Sequence, residues 1–224
     1  MNRKKICITG TQGVGKTQIC EKILTKIWCS KEYYSNLDID EYKHFGGNAN
    51  IINYTELIQD IANIAFIPEQ FREVMQLLGN PKEFKQTEEI TLATYAKQLY
   101  LENLYTAQGK NILCDRSILD TFVYYDYFCN IQYQKITCFL EYHIKALQLN
   151  RFLTTYSKIY LIEPSDREIE NDGFRLTDKK QQLEVHKLFL EYFKDFSNVE
   201  IINQEDAFKE EFIEKVAREY EKIL

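Results

Sequence analysis

Residues Ile8 to Cys20 read ITGTQGVGKTQIC, and the stretch Gly10-Thr11-Gln12-Gly13-Val14-Gly15-Lys16-Thr17 follows the pattern G-x-x-x-x-G-K-[ST]. This pattern constrains the fold because it works only between particular neighbours. An apolar run, Ile6-Cys7-Ile8, precedes it and reads as a buried strand; a helix-like segment, Gln18 to Trp28, follows. Glycines at 10, 13 and 15 admit backbone conformations closed to other residues, so successive N–H groups can turn inward toward anionic oxygens. A helix starting near Lys16 adds the positive end of its dipole. Gly10, Thr11, Gln12, Gly13, Val14, Gly15, Lys16, Thr17 and Gln18 are therefore the expected nucleotide-binding segment. Lys16 is expected at the solvent end of the loop, free of the core and reaching the terminal phosphates, with the Thr17 hydroxyl on Mg²⁺.

Downstream, strand-like and helix-like segments alternate. Asn63 to Gln70 reads as a second strand stopped by Pro68, and Phe71 to Gly79 as a short helix. A long helix is expected from Thr87 to Gln108, and Asn111 to Ser117 reads as a third strand. Aromatic-rich helices over Leu119 to Phe128 and Gln134 to Thr154 come next, then a strand at Lys158 to Pro164. A helical stripe follows at 185, 188, 189, 192, 193 and 196, then a strand at Val199 to Asn203. The last helix carries Phe208, Phe212, Val216, Tyr220 and Ile223. The fold class implied is α/β, a parallel five-stranded sheet with helices on both faces. No repeat or linker divides the chain, so residues 1–224 read as one domain, with an irregular loop or small insert at 30–54 and a charged, lid-like loop at 164–178.

Composition excludes several classes. The net charge of −6, from 34 acidic and 28 basic residues, argues against broad capture of nucleic acid. No apolar run is long enough to span a bilayer, and no leader-like segment opens the chain. The six cysteines form no C-x-x-C pair and read as reduced, buried thiols of a cytoplasmic protein. His44, His143 and His186 have no metal-ligand spacing.

In parallel sheets ligands gather outside the carboxyl ends of the strands. The sequence puts there the glycine loop, Glu69, Asp115-Arg116, and Arg167 with Arg175. Phosphoryl transfer calls for such a set: cations and a metal for phosphate charge, and a carboxylate for the acceptor's proton. Asp115 is placed to hold Mg²⁺, or alternatively to cap its strand by pairing with Arg116. Glu69 lies one helical turn before Arg72, so the two can pair on the acceptor side. Arg167 and Arg175 are the cations of the charged loop, and Arg167 is expected to bind the nucleotide. The aromatics at Phe122, Tyr124, Tyr125, Tyr127 and Phe128 read first as core and second as a platform for a flat substrate. There is no D-x-x-G, Asn203-Gln204-Glu205-Asp206 lacks the lysine of N-K-x-D, and no Asp-Glu pair ends the third strand. A bound acceptor is therefore expected as nucleophile in place of water.

The segments GTQGVGKT, FIPEQFRE, ILCDRSILDTFVY and KIYLIEP with NDGFRLTD, in this order, resemble the P-loop kinase-like family of ribosylnicotinamide kinase and related AAA-named ATP/GTP-binding proteins. More distantly they are similar to deoxynucleoside and thymidylate kinases. The resemblance implies that Glu69 contacts an acceptor hydroxyl, that Asp115-Arg116 is the acid–arginine pair beside it, and that Arg175 is a lid arginine reaching the phosphates. Ser117 after Arg116 is the nucleoside-kinase form; the closer family often has Gly there. The sequence thus points to a Mg²⁺-dependent kinase using ATP or GTP on a small nucleoside- or nucleotide-like acceptor. Lys16, Glu69, Asp115, Arg116 and Arg175 would be catalytic, and Glu69, Arg72 and Arg116 would bind the acceptor. Two other readings are a regulatory NTPase acting on a protein or lipid and a kinase of nucleic-acid 5′ ends.

Overall fold

Strands β1 (Lys5–Gly10), β2 (Ile64–Ile67), β3 (Asn111–Asp115), β4 (Lys158–Glu163) and β5 (Val199–Asn203) lie parallel in the order β2-β3-β1-β4-β5. The computed structural model describes residues 3–29, 63–77, 88–128, 155–166 and 178–221. The described helices are α1 (Lys16–Cys29), α2 (Gln70–Leu77), α3 (Glu88–Ala107), α4 (Ile118–Tyr125), α5 (Lys179–Phe193), α6 (Gln204–Ala207) and α7 (Glu210–Glu221).

The central strands are apolar along their length because both faces are covered. Strand side chains alternate between faces, so β1 divides its residues between two cores. Ile6 and Ile8 join Ile19 and Ile23 of α1 and Phe212, Val216 and Tyr220 of α7. On the other face Cys7 joins Cys114 of β3, Leu119 and Phe122 of α4, and Val185, Phe189 and Phe193 of α5. Phe122, Tyr125, Tyr127 and Phe128 are buried, so these aromatics are core, as expected.

Two elements depart from the sequence reading. The third strand stops at Asp115 rather than Ser117, because Arg116 takes φ +83° and turns the chain out of the sheet. Ser117 then serves as N-cap of α4, its backbone N–H donating to Asp120 Oδ2 at 2.8 Å. The last helix is split into α6 and α7. Asn203 caps α6 through the Asp206 N–H (2.8 Å), and Phe208 sits at the break, packed against the α1–α7 core. The segment 30–54, the helix expected over Gln134 to Thr154, and residues 167–177 of the charged loop lie outside the described residues.

Register brings the strand ends together. Ile67 pairs with Cys114, Ile8 with both Asp115 and Tyr160, and Glu163 with Asn203. The chain therefore leaves all five strands on one edge of the sheet, carrying Glu69, Asp115, the glycine loop, Ser165 and Gln204.

Candidate active site

The glycine loop has the backbone its sequence requires. Gly13 and Gly15 take φ +78° and +79°, in the left-handed region, and Gly10 takes +136°. Val14 is fully buried in the α1–α7 core and anchors the loop from below. Helix α1 begins at Lys16, so its free N–H groups face the loop. Thr17 and Gln18 are exposed at this helix start.

Lys16 is not at the solvent end of the loop. It is 6 % exposed, and its Nζ donates to the Thr11 carbonyl at 2.7 Å. The side chain folds back onto the loop, where the Thr11 carbonyl oxygen satisfies its ammonium. Burial, with Arg116 second, pulls Lys16 down to about 8 from its usual value.

Thr17 Oγ1 donates to Asp115 Oδ2 at 2.5 Å, joining the start of α1 to the end of β3. Asp115 is 1 % exposed and its Oδ1 is buried with no hydrogen-bond partner. Burial raises its pKa, outweighing the attraction of Lys16. A buried carboxylate oxygen left open beside a threonine hydroxyl is an all-oxygen donor set suited to a hard divalent cation. The residues fit Mg²⁺.

The alternative for Asp115, a strand cap paired with Arg116, is not what the side chains form; the two have different partners. Arg116 Nε donates to Glu69 Oε1 at 2.5 Å, and Nη1 donates to Asp120 Oδ1 at 3.2 Å and the Gly10 carbonyl at 3.3 Å. Its guanidinium lies 5.0 Å from the centre of the Tyr124 ring. Glu69, just ahead of α2, also meets Arg72 Nε at 3.6 Å, the pairing anticipated from their spacing. Burial raises the Glu69 pKa, but Arg116, Lys16 and Arg72 together reverse this and hold it below the ordinary value. Lys16, Asp115, Arg116 and Glu69 are thus brought to one place. Arg167 and Arg175 lie outside the described residues.

Three residues of the site escape a reading of the sequence alone. Asp120, 2 % exposed, accepts from Thr9 Oγ1 at 2.7 Å, from the Ser117 hydroxyl and N–H, and from Arg116. Its signal was the Ser117-x-x-Asp120 spacing of a capping box. Gln182 Nε2 donates to the Gln12 carbonyl at 2.7 Å and Gln204 Nε2 to the Gly13 carbonyl at 3.3 Å, fixing the outer turn of the glycine loop. Gln204 Oε1 in turn receives the Ser165 N–H at 3.0 Å. Beside this junction a cleft of about 650 Å³ opens between the ends of β4 and β5, with Pro164, Leu183, His186 and Asp206 among its walls.

Cys7, Cys20 and Cys114 are free, buried thiols, as expected. Among the described residues, no helix is long and apolar enough to cross a membrane, and no cluster of three or more His, Cys, Asp or Glu could hold a metal by itself.

No match is found among curated proteins. Solved structures share the fold. Thymidylate kinase from Ehrlichia chaffeensis aligns with TM-score 0.55 at 17 % identity, over 100 % of this chain and 99 % of its own. Deoxyadenosine kinase from M. mycoides, with bound dATP, aligns with TM-score 0.58 at 15 % identity, over 98 % and 100 %. NadR protein in complex with NR aligns with TM-score 0.60 at 16 % identity over 97 % of this chain, which spans about half (51 %) of NadR. These likenesses show the fold, an α/β P-loop architecture with a five-stranded parallel sheet. A family model described as an AAA domain matches residues 53–211, more than half of the chain, and the chain belongs to that family of P-loop AAA domains.

Proposed function

We propose that the chain is a single-domain, Mg²⁺-dependent kinase that moves the γ-phosphoryl group of ATP or GTP to a hydroxyl or phosphate of a small nucleoside- or nucleotide-like acceptor. One observation carries the reading. A carboxylate, Glu69, is held by Arg116 at 2.5 Å on the strand end next to Asp115, beyond a phosphate loop of the right geometry. A module that only binds or slowly hydrolyses nucleotide has no need of an oriented carboxylate on the acceptor side. The cytosol suits the buried, reduced Cys7, Cys20 and Cys114. A net charge of −6 favours a small acceptor over nucleic acid.

In this reading the loop N–H groups and Lys16 bind the β- and γ-phosphates, and Lys16 exchanges the Thr11 carbonyl for phosphate oxygen. The base of the donor enters the cleft between β4 and β5, whose Pro164 and Leu183 offer apolar walls beside the loop. Thr17 and Asp115 would hold Mg²⁺, which when bound neutralises phosphate charge. Glu69 accepts a hydrogen bond from the acceptor hydroxyl and takes its proton as the new O–P bond forms and the bond to the β-phosphate breaks. The low pKa imposed by its cationic neighbours keeps Glu69 ionised and ready to accept. Arg116 orients Glu69 and faces the charge that develops on the transferring group.

The test is a screen of nucleosides and nucleoside monophosphates with ATP or GTP and Mg²⁺, scored as diphosphate released above the rate without acceptor. The reading requires at least one acceptor that stimulates release and emerges phosphorylated. Slow release indifferent to every acceptor would instead support the regulatory NTPase.

A further inference from the structure

Arg116 holds a conformation, φ +83°, that side-chain-bearing residues rarely adopt, and the two peptide groups that follow it are gripped from behind the site. Gln98 Nε2 donates to the Arg116 carbonyl at 3.4 Å, and the Tyr156 hydroxyl receives the Ile118 N–H at 3.3 Å. Both side chains converge on one atom. Glu102 Oε1 accepts from Gln98 Nε2 at 2.9 Å and from the Tyr156 hydroxyl at 2.6 Å. Glu102 Oε2 accepts from Lys5 Nζ at 2.8 Å, and that ammonium also lies 4.8 Å from the Tyr156 ring centre. Gln98, Glu102 and Tyr156 are 4 %, 1 % and 2 % exposed.

The polarity of this network follows from its centre. A carboxylate only accepts, so every neighbour must point a donor at it. Tyr156 has one proton, and giving it to Glu102 leaves its lone pairs for the Ile118 N–H. Gln98 must present its NH₂ rather than its oxygen, and the second proton of that NH₂ then reaches the Arg116 carbonyl. Either partner reversed would leave a buried group unpaired beside the turn. Lys5 supplies a counter-charge to Glu102 in the interior.

We propose that Glu102, acting through Gln98 and Tyr156, is a positioning residue that locks the Arg116 turn and so sets the guanidinium against Glu69. For its kinetic consequence this rests on the kinase reading above; for its structural consequence it does not.

The experiment uses the full chain with Glu102→Gln, Tyr156→Phe and Gln98→Leu. Amide hydrogen exchange at Ile118 is compared with Ile112, whose N–H donates to Lys4 O at 2.8 Å in the middle of the same fold. Tyr156→Phe and Glu102→Gln should speed exchange at Ile118 by about tenfold with Ile112 unchanged. With an acceptor found in the screen, all three variants should lose about tenfold in kcat/KM for acceptor while ATP or GTP affinity stays within about twofold. A network serving stability alone predicts that Ile118 and Ile112 exchange accelerate together; that result, or no change at either amide, overturns the proposal. Should the two network variants fail to fold, Gln98→Leu decides, since it leaves the Lys5–Glu102–Tyr156 contacts in place. Unaltered acceptor kinetics and unaltered Arg116-turn exchange in that variant would overturn it too. If the wild type phosphorylates no acceptor, the kinase reading falls while the exchange comparison still judges the inference.

Discussion

Glu69 Oε1 receives Arg116 Nε at 2.5 Å, although the two residues are 47 positions apart and leave the sheet from neighbouring strands. Arg116 keeps a second carboxylate, Asp120, at 3.2 Å, so removing the charge of Glu69 does not leave the guanidinium bare. Glu69→Gln should therefore fold, and should lower acceptor-dependent turnover by about 10²–10⁴ through loss of the proton acceptor. ATP or GTP affinity should stay near wild type. The paired measurement is nucleotide binding and acceptor-stimulated diphosphate release on one preparation; turnover at the wild-type rate would remove Glu69 from the mechanism.

The same pair predicts a pH dependence of stability. Glu69 is held below its ordinary value in the folded protein, so it binds fewer protons there than in the unfolded chain. Its contribution is fully present above about pH 4.5 and is lost as pH falls through the depressed folded value. Urea midpoints of wild type and Glu69→Gln should converge over that acid range and differ by a constant amount from pH 6 to pH 8. A gap that widens toward low pH contradicts this.

Asp115 behaves in the opposite sense. Burial raises its pKa, so ionisation costs folding energy that a bound cation would offset. Asp115→Asn should reduce turnover more than nucleotide affinity, with the deficit largest at limiting Mg²⁺. Its melting temperature without metal should match or exceed that of the wild type, because the amide removes a buried acid whose Oδ1 has no partner. Normal turnover of Asp115→Asn at low Mg²⁺ would leave Asp115 only its tie to Thr17.

The parts of this site legible in the sequence are those set by local chemistry. Glycines 10, 13 and 15 followed by Lys16-Thr17 announce their backbone, and apolar runs ending in Glu69 and Asp115 announce the strand edge. Contacts between distant segments were not legible. Gln182 and Gln204 grip the phosphate loop from 170 and 191 residues away, and nothing in their neighbourhoods distinguishes them from surface glutamines. Glu102 belongs to no motif in the sequence, and the fold buries it against Lys5 and Tyr156. The burial of Lys16 is hidden from the sequence for a related reason. Its ammonium is buried on the Thr11 carbonyl, a contact that a motif cannot show.

The corrected position of Lys16 changes what its removal should do. Lys16→Met deletes a cation that burial has already pulled to about 8, and the replacement fills similar space. The melting temperature should hold or rise slightly, while turnover falls by about two or more orders of magnitude for want of a charge on the transferring phosphate. Calorimetry and turnover on the same variant check both halves. Near-full activity would refute the phosphate role, and a collapse in stability would show that Lys16 holds the loop together.

Two glycines of the loop should fail differently when given a side chain. At Gly10, φ is +136° and a Cβ would lie 2.6 Å from the Ile162 carbonyl oxygen, a piece of β4 backbone that cannot move aside. At Gly15, φ is +79° and the obstacle is the Phe208 ring, with Cε2 at 2.9 Å, on the turn between α6 and α7. Gly10→Ala should thus be destabilised with no single compensating change. Gly15→Ala should be destabilised by the sum of ring clash and positive-φ strain, the latter about 1–3 kcal/mol. Phe208→Leu shortens the obstacle, so the double variant Gly15→Ala/Phe208→Leu should be more stable than the two single losses added together. It should still fall short of Phe208→Leu alone, because the strain at residue 15 remains. Strict additivity in a urea-denaturation cycle would mean that Phe208 does not press on the loop, whereas positive coupling with weakened ATP or GTP binding would place it as the packing wedge beneath Gly15.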